Sequence, residues 1–487
     1  MHWPNTSTTA LLLALAAPTA TAAQDIDTLA LRGHTRFLAD DLLLGRGTGT
    51  QGERLAATYI VSQLIQLGLQ PIGGAFLHPV PLRAARITDD SRVSIISDAD
   101  SSSFDLGSGF VVNAGGRGAF RDFRGRAVLL GPPEHAARLI EGRSLAGRVA
   151  VFTGPLGTHA RALIPALLRA GAEAIVVLVA DEATFDLFSR SRGDTRYYVD
   201  APVDDPVWQP ALPVILAGPA MSAALTRGIA VPRALRDGSA THPVDFGRTV
   251  SARIRTVTRD VAAANVVAVL PGSDPALRND YVIYTAHYDH LGVSVPDENG
   301  DSIYNGFSDN AAGVAMLLAI GEALRPQPPA RSVAFLFFTG EERGLLGSSH
   351  FAATSPIPAA RIAGVINLDA GAPPVPPVSW RIAGGTETPL GQRARQLAEA
   401  RSWTATLSPA SPNSDYWPFL QRGVPSIFII PGDQWQNTSA AEREALRRRW
   451  NRYHRADDHW QPDFPFAGLR RYAEFAMLVG LDLARGR

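Results

Sequence analysis

The chain has 487 residues, of which 46% are hydrophobic, and its 46 basic and 46 acidic residues balance to a formal net charge of +0. This composition is typical of a globular protein, and the absence of net charge gives neither nucleic acid nor an anionic membrane an electrostatic advantage as a partner. There is no cysteine, which excludes disulfides, thiolate metal ligands and cysteine nucleophiles.

The N-terminus has the pattern of an export signal. An apolar core at Thr9–Ala17 precedes small residues that include Ala20, Thr21 and Ala22. This pattern predicts a signal peptide over residues 1–23, and its apolar core is too short to span a bilayer. We therefore expect an exported protein, periplasmic or extracellular, and we expect no membrane-spanning stretch elsewhere in the chain.

Two predicted helices follow in residues 24–106, which we assign to the first segment of the principal domain. Apolar residues recur at helical spacing in 29–41 and 51–69, and the glycine-rich sequence GRGTGTQG separates the two segments. The glycine-rich turn has no lysine and no strand before it, so we do not predict a phosphate-binding loop. We interpret it as a connection between helices.

Residues 107–246 predict a compact β-rich inserted module. The short runs RAVLLG, GRVAVFTG, EAIVVLVA and LPVILAG alternate with glycine, proline and one helix at 160–170. The insert contains no convincing cluster of metal ligands or bases, because its histidines are isolated in the sequence.

Residues 247–487 predict an α/β domain with a mixed, mostly parallel central sheet and helices on both faces. The runs at 281–286, 332–339, 364–368 and 424–430 are short, apolar and nearly free of charge, as in strands buried on both faces. Asp309 precedes an apolar segment with helical spacing, so we predict a crossover helix there. Open α/β sheets bind ligands at the carboxyl ends of their strands, and we expect the chemistry in that crevice.

Candidate metal ligands lie at or near the ends of these elements. Imidazole and carboxylate together suit zinc or another divalent first-row ion. An ordinary catalytic zinc uses three protein ligands, so a larger set fits two ions that share one carboxylate and hold a hydroxide between them. Asp309 is the predicted bridge, because it lies in sequence between two strand-borne groups and small residues follow it. The five candidates are His287, Asp309, Glu342, Asp369 and His454.

The doublet Glu341–Glu342 is predicted to divide two roles. Neighbouring side chains of an extended segment point in opposite directions. We assign Glu342 to metal and Glu341 to the general base, which takes a proton from water and passes it to the leaving amine. Asp289 is predicted to accept the second imidazole N–H of His287, and we interpret His290 as a neighbour in the loop.

The motifs HYDHLG, NGFSDNAAG, GEE, NLD and YHRADD resemble those of metallopeptidase family twenty-eight, the secreted co-catalytic zinc aminopeptidases. The resemblance covers nearly the whole mature chain, and the 107–246 insert resembles the protease-associated domain of many members. It implies one zinc on His287 and Asp369, a second on Glu342 and His454, and a shared Asp309. It also implies that the tyrosine before the late histidine, Tyr453, supports the tetrahedral intermediate.

These observations predict a zinc-dependent exopeptidase that hydrolyses N-terminal amino acids from peptides. Tyr416, Trp417 and Trp435 are candidate pocket walls, and Asp415 is a candidate pocket residue. The segment 434–452 looks longer than in minimal members of the family, and we expect it to shape the rim of the pocket. The sequence predicts no particular oligomeric state.

Three alternatives stay open. An aminoacylase or dipeptidase type uses a similar order of ligands, but those enzymes insert a dimerisation domain where this chain has only the stretch from Asp369 to His454. A glutaminyl-cyclase-like enzyme would work with one zinc. The third alternative is a non-catalytic binding protein on a peptidase scaffold. Metal stoichiometry and the release of free amino acids would separate these possibilities.

Overall fold

The structure is a computed structural model, and it describes residues 25–112, 117–179, 181–189, 195–201 and 212–485. The predicted signal peptide lies outside the described residues. The strands are β1 Gln70–Pro71, β2 Leu77–Ile87, β3 Arg92–Ile96, β4 Ser101–Asp105, β5 Phe110–Val112, β6 Phe123–Gly131, β7 Arg148–Phe152, β8 Ala174–Leu178, β9 Arg196–Val199, β10 Val214–Ala217, β11 Val244–Arg253, β12 Thr256–Leu270, β13 Tyr281–His287, β14 Gly292–Val293, β15 Ile303–Tyr304, β16 Ser332–Phe338, β17 Ile362–Asn367, β18 Ser379–Ala383, β19 Thr404–Ser408 and β20 Ser426–Pro431.

The helices follow the predicted segments within a few residues where the apolar spacing is strong. They are α1 Thr28–Leu38, α2 Gln51–Gln66, α3 Pro133–Ile140, α4 Ala160–Arg169, α5 Glu182–Ser189, α6 Pro219–Thr226, α7 Arg233–Arg236, α8 Ala312–Leu324, α9 Leu346–Thr354, α10 Pro389–Glu399, α11 Trp417–Leu420, α12 Ala440–Trp450 and α13 Ala467–Ala484. Short helical turns occur at Asp41–Arg46, Arg117–Phe120, Gly157–His159, Phe307–Ala311 and Ala359–Arg361.

The larger sheet has ten strands in the order β19-β18-β20-β17-β13-β16-β12-β2-β9, with β1 paired to β12. Its centre is parallel, because β13 pairs in parallel with both β16 and β17, and β17 pairs in parallel with β20. The flanking pairs of β12 with β16 and of β18 with β20 are antiparallel. The predicted mixed sheet is thus present, and its parallel character is concentrated at the centre.

Helices cover both faces of this sheet. On β13, Val282 and Tyr284 join a core cluster with residues of α1, α2, α8, α10 and α13, whereas Ile283 joins a second cluster with Phe351 of α9 and Phe419 of α11. This alternation is the period-two pattern of a strand buried on both sides. It explains why the central runs are almost continuously apolar.

Helix α8 runs through the centre of the larger core. We expected no membrane-spanning stretch after the signal peptide, but the segment Phe307–Leu324 has the length and composition of one. Inside the protein, 89% of this segment is buried. This burial is the arrangement of a core helix. Asp309 lies in the turn before α8 with φ −131° and ψ 92°, so it precedes the helix without belonging to it.

A second sheet of eight strands has the order β4-β3-β11-β6-β7-β8-β10-β5 and a hydrophobic core of its own. Its β6, β7, β8 and β10 form a parallel centre, and α3, α4 and α6 contribute to its core. The strands β3 and β4 precede residue 107, so this sheet extends beyond the predicted insert. One strand from within the insert, β9, pairs with β2 in the larger sheet.

Candidate metal centre

The polar residues that follow the central strands meet at one edge of the larger sheet. In the parallel register His287 is opposite Phe338, and Thr285 is opposite Asn367. The chain therefore leaves β13, β16 and β17 at the same edge, where His287, the Glu341–Glu342 doublet and Asp369 lie. The structure brings together all five predicted ligands, including Asp309 before α8 and the distant His454.

Asp309 lies between two histidines. Its Oδ1 is 3.1 Å from Nε2 of His287, and its Oδ2 is 3.0 Å from Nε2 of His454. The carboxylate is almost fully buried. Each oxygen therefore faces a different imidazole, which is the arrangement that a bridging carboxylate requires.

Each histidine has a second carboxylate beside it. His287 Nε2 is 2.9 Å from Asp369 Oδ1, and His454 Nε2 is 3.4 Å from Glu342 Oε2. Ser414 donates a hydrogen bond to the other oxygen of Asp369, which orients its carboxylate. The five side chains therefore form two groups that meet at Asp309.

The spacing of these atoms fits metal ions. Although Asp309 Oδ2 is 3.0 Å from His454 Nε2, it has no hydrogen-bond partner among the described residues. Two tetrahedral ligands at zinc bond lengths of about 2.0–2.2 Å lie roughly 3.3–3.6 Å apart, and the separations above, 2.9–3.4 Å, are within a few tenths of an ångström of that range. A divalent ion in each group would satisfy the buried Asp309 oxygen, so the donor set fits two ions.

The pKa values of the cluster also indicate a site that suits cations. Burial raises the pKa of Asp369. Burial acts in the same direction on Glu342, but bonds from His290 and His454 outweigh it and lower its pKa to about 2. The close approach of Asp309 and Glu342 raises the pKa of the His454 imidazole to about 10. With no cation present the histidine would take up a proton, whereas a metal ligand must be neutral.

Asp289 does not make the predicted contact with His287. The two side chains are 3.8 Å apart, and the backbone carbonyl of Asp289, 3.1 Å from His287 Nδ1, accepts the imidazole N–H instead. The short HYD turn brings the carbonyl nearer than the carboxylate. The carboxylate of Asp289 instead accepts hydrogen bonds from Thr48 and from the backbone N–H of Glu341.

The glycine-rich turn supports the site, which the sequence interpretation missed. Thr48 bonds Asp289 at 2.8 Å, and Glu53 at the start of α2 accepts a hydrogen bond from Thr339 at the end of β16. Gly52 permits this packing, because a Cβ there would lie 1.7 Å from the carbonyl oxygen of Leu43. The missed signal was a turn with four glycines and two threonines, a pattern also common in ordinary loops.

The most buried cation of this region is Arg46, in the same turn. Its guanidinium donates to five backbone carbonyls, those of Tyr288, Leu38, Asn305, Gly306 and Asp309, at 2.5–3.4 Å. Burial lowers its pKa to about 10, against the opposing effect of nearby carboxylates led by Asp309. The side chain therefore remains charged at neutral pH and ties the two loops that carry His287 and Asp309 to the N-terminal segment.

Glu341 lies beside the group formed by His287 and Asp369. Burial raises its pKa well above the usual range, and the charges of Asp369 and Asp415 act in the same direction against His287. Tyr453 stacks on His454 with ring centroids 3.8 Å apart and is 61% exposed. Its phenol therefore lies at the mouth of the site.

A cavity of about 370 Å³ opens beside Asp369. Pro373, Pro431, Trp435, Leu446 and Trp450 contribute apolar walls, and Tyr453 lies at one end. The segment after β20 therefore forms one side of this cavity, as the sequence predicts. Trp435, which the sequence predicts to be a pocket wall, lines this cavity.

Tyr416 and Trp417 lie elsewhere. Tyr416 is buried against Phe428, with its hydroxyl bonded to Ser411, and Trp417 borders a separate surface cavity. They do not line the cavity beside Asp369, because the turn at 414–417 directs their rings away from it. Asp415 is fully buried, and burial raises its pKa to about 7, so it lies behind the site rather than in the wall.

Comparison with known proteins shows which family the residues of this site resemble. Residues 265–477 match the model of peptidase family M28. This segment belongs to peptidase family M28. The resemblance to the zinc aminopeptidase family and the mixed α/β fold predicted from sequence are confirmed, whereas the resemblance of the insert to a protease-associated domain stays a prediction.

The relatives of this M28 segment match over limited stretches. A probable zinc metalloprotease of Pyrenophora teres f. teres is 36% identical over 109 residues, 22% of this chain and 23% of that protein. Aminopeptidase YwaD of Bacillus subtilis is 30% identical over 163 residues, 32% of each chain. The chain thus spans less than a third of the length of these two relatives.

A solved structure matches over most of the length. The aminopeptidase from Aneurinibacillus sp. strain AM-1 is 17% identical, with a TM-score of 0.53, and the match covers 94% of this chain and 93% of that one. At this identity the match shows a shared fold. It extends beyond the M28 segment into the N-terminal part of the chain.

Proposed function

We propose that this protein is a zinc-dependent exopeptidase that removes N-terminal amino acids from peptides with the help of two metal ions. The single observation that carries the proposal is Asp309, whose two oxygens face two separate histidine–carboxylate groups at 3.1 Å and 3.0 Å. The names of two relatives, a probable zinc metalloprotease and an aminopeptidase, support the choice of metal and reaction.

His287 and Asp369 would hold one ion, Glu342 and His454 the other, with Asp309 shared between them. When bound, the ions supply a Lewis acid for the scissile carbonyl and lower the pKa of the attacking water. The buried Asp309 holds both groups at a fixed separation, because the loop before α8 is tied to Arg46. Other divalent first-row ions would suit the same donors.

Glu341 is the proposed general base. Its backbone N–H bonds Asp289 at 3.1 Å, which fixes the turn after β16, and its carboxyl lies beside His287 and Asp369. Burial raises its affinity for a proton, so the carboxylate can take one from water and deliver it to the leaving amine. Tyr453, at the mouth, is the proposed donor to the oxygen of the tetrahedral intermediate.

We propose that the cavity beside Asp369 receives the side chain of the N-terminal residue. Its walls are largely apolar and its volume of about 370 Å³ suits a large side chain. Binding there would bury apolar surface, which favours leucine-like or aromatic residues over small ones. The substrate is therefore a peptide with a bulky apolar first residue.

The N-terminal pattern supports export, so we propose a signal peptide over residues 1–23 and a periplasmic or extracellular enzyme. We also propose that the chain consists of a principal domain and an insert, supported by the resemblance of the insert to a protease-associated domain. The second sheet includes β3, β4 and the whole of β11, so this insert extends beyond the predicted residues 107–246. We assign no partner to the insert.

Elemental analysis of the purified protein, together with a panel of aminoacyl anilides, tests the proposal. We expect two zinc equivalents per chain, activity that falls when a chelator removes them, and recovery after two equivalents are returned. The matched variant Glu341→Gln should keep both ions and lose turnover. A single ion would favour a cyclase-like enzyme, and two ions without hydrolysis of any panel member would favour a binding protein.

A further inference from the structure

His290 contacts one of the proposed metal ligands through a short hydrogen bond. Its Nδ1 is 2.6 Å from Oε1 of Glu342, and both side chains are buried. Because a carboxylate oxygen accepts, Nδ1 carries the proton of this bond. The sequence interpretation treated His290 only as a neighbour in the loop, whereas the structure places it in direct contact with Glu342.

The distance favours a hydrogen bond over shared metal ligation. The 2.6 Å between His290 Nδ1 and Glu342 Oε1 is the length of a short charge-assisted hydrogen bond and is shorter than the 2.9–3.4 Å separations among the five proposed ligands. His290 Nδ1 is also 3.7 Å from Asp309 Oδ2. By contrast, His454 lies 3.4 Å from Glu342 Oε2, a separation that a shared ion accommodates.

The two oxygens of Glu342 therefore have different partners. Oε1 accepts from His290, and Oε2 faces His454 and the proposed second ion. A carboxylate bonded in this way cannot rotate freely. The hydrogen bond would therefore leave Oε2 as the oxygen available to an ion.

The His290 ring is itself held on several sides. A Cβ at Gly306, where φ is +60°, would lie 2.6 Å from the ring, so only glycine leaves room for the imidazole. The backbone N–H of His290 donates to the carbonyl of Arg46 at 3.1 Å, and the Arg46 guanidinium donates to the carbonyl of Gly306 at 3.0 Å. The ring is thus fixed relative to both the turn before α8 and the N-terminal segment.

We propose that His290 is a positioning residue that holds Glu342 in the orientation required by the second metal ion and thereby sets the affinity of that site. The inference rests on the proposed function only in assuming that Glu342 and His454 share an ion. Partners of metal ligands in this position commonly contribute about 10- to 100-fold to metal affinity. His290 bonds Glu342, whereas the residues proposed for the first ion are His287 and Asp369, so binding of that ion should be unaffected.

Zinc titration of the metal-free protein by calorimetry, with a competing chelator, tests this role. His290→Phe keeps an aromatic ring but removes the donor, and we expect it to weaken the second site about 10- to 100-fold while the first changes less than about threefold. His290→Gln keeps an N–H donor and should recover part of the loss. Glu342→Ala, which removes the ligand itself, gives the reference for a lost second site.

Circular dichroism of the metal-free variants serves as the folding control. An unchanged second-site affinity in folded His290→Phe would overturn the proposal, as would equal weakening of both sites. Complete loss of the second site in both His290 variants, matching Glu342→Ala, would make His290 a ligand and also overturn it. Because the readout is metal affinity, failure of the peptidase proposal would appear separately, as two bound ions in a wild-type protein that hydrolyses no peptide.

Discussion

Replacing Arg46 by methionine should destabilise the protein strongly, because this side chain joins the N-terminal segment to the loops of the metal centre. Five hydrogen bonds to backbone carbonyls at roughly 1.5 kcal/mol each amount to roughly 7 kcal/mol. These per-bond values already include the cost of removing the guanidinium from water, so the loss expected for Arg46→Met is roughly 7 kcal/mol.

Urea unfolding of the zinc-free protein, followed by tryptophan fluorescence, measures this loss. Six of the eight tryptophans lie between residues 380 and 460, so the signal reports on the core of the larger sheet. Arg46→Lys keeps the charge but has fewer donors, and it should fall between wild type and Arg46→Met. Arg36→Met is the matched control, because it breaks an exposed pair with Asp40 worth less than about 1 kcal/mol. Equal unfolding midpoints for Arg36→Met and Arg46→Met would refute the reasoning.

Three further predictions concern catalysis, substrate choice and acid stability. Glu341→Gln should lower kcat by about 10²- to 10⁴-fold at unchanged zinc content, and a near-normal rate would remove Glu341 as the base. Trp450→Ala, which removes an apolar wall of the cavity, should lower kcat/KM for leucyl or phenylalanyl anilides about 10-fold more than for alanyl anilide, whereas equal losses would place the side chain elsewhere. Burial lowers the pKa of His34 from 6.5 to about 4, so the unfolded chain binds more protons between these values and stability falls as the pH drops through this window. Urea unfolding at about pH 7 and about pH 4.5 gives the stability that each protein loses on acidification. His34→Gln should lose roughly 2 kcal/mol less than wild type. An equal loss in the two proteins would contradict the assignment.

The sequence predicts the convergence of the metal centre because parallel strands impose it. His287 ends one strand and the Glu341–Glu342 doublet follows its neighbour, and the two strands run side by side in the same direction, so their meeting requires only the correct identification of those strands. Asp309 follows from the same argument, since a crossover helix must begin at that edge. His454 has no such constraint, so its place among the five candidates depended on its position near the end of a predicted element, and the resemblance to a known family supported it.

The supporting residues could not be predicted in the same way. Arg46 is 242 positions away from Tyr288, whose carbonyl it bonds, and periodicity within a segment carries no information about such distant packing. The contact of His287 with the Asp289 carbonyl depends on the detailed path of the HYD turn. The orientation of Tyr416 depends in the same way on its turn, which directs the ring toward Phe428.

The N-terminal segment is therefore part of the site although the family model begins at residue 265. Thr48 fixes the Asp289 carboxylate, which in turn holds the backbone of Glu341, and Arg46 holds the loop of Asp309. A cluster of buried carboxylates is costly unless donors and cations oppose their charge. Because two of those groups, the Arg46 guanidinium and the Thr48 hydroxyl, come from the N-terminal segment, the geometry of the proposed metal centre depends on that segment as well as on the M28 segment that supplies the proposed ligands.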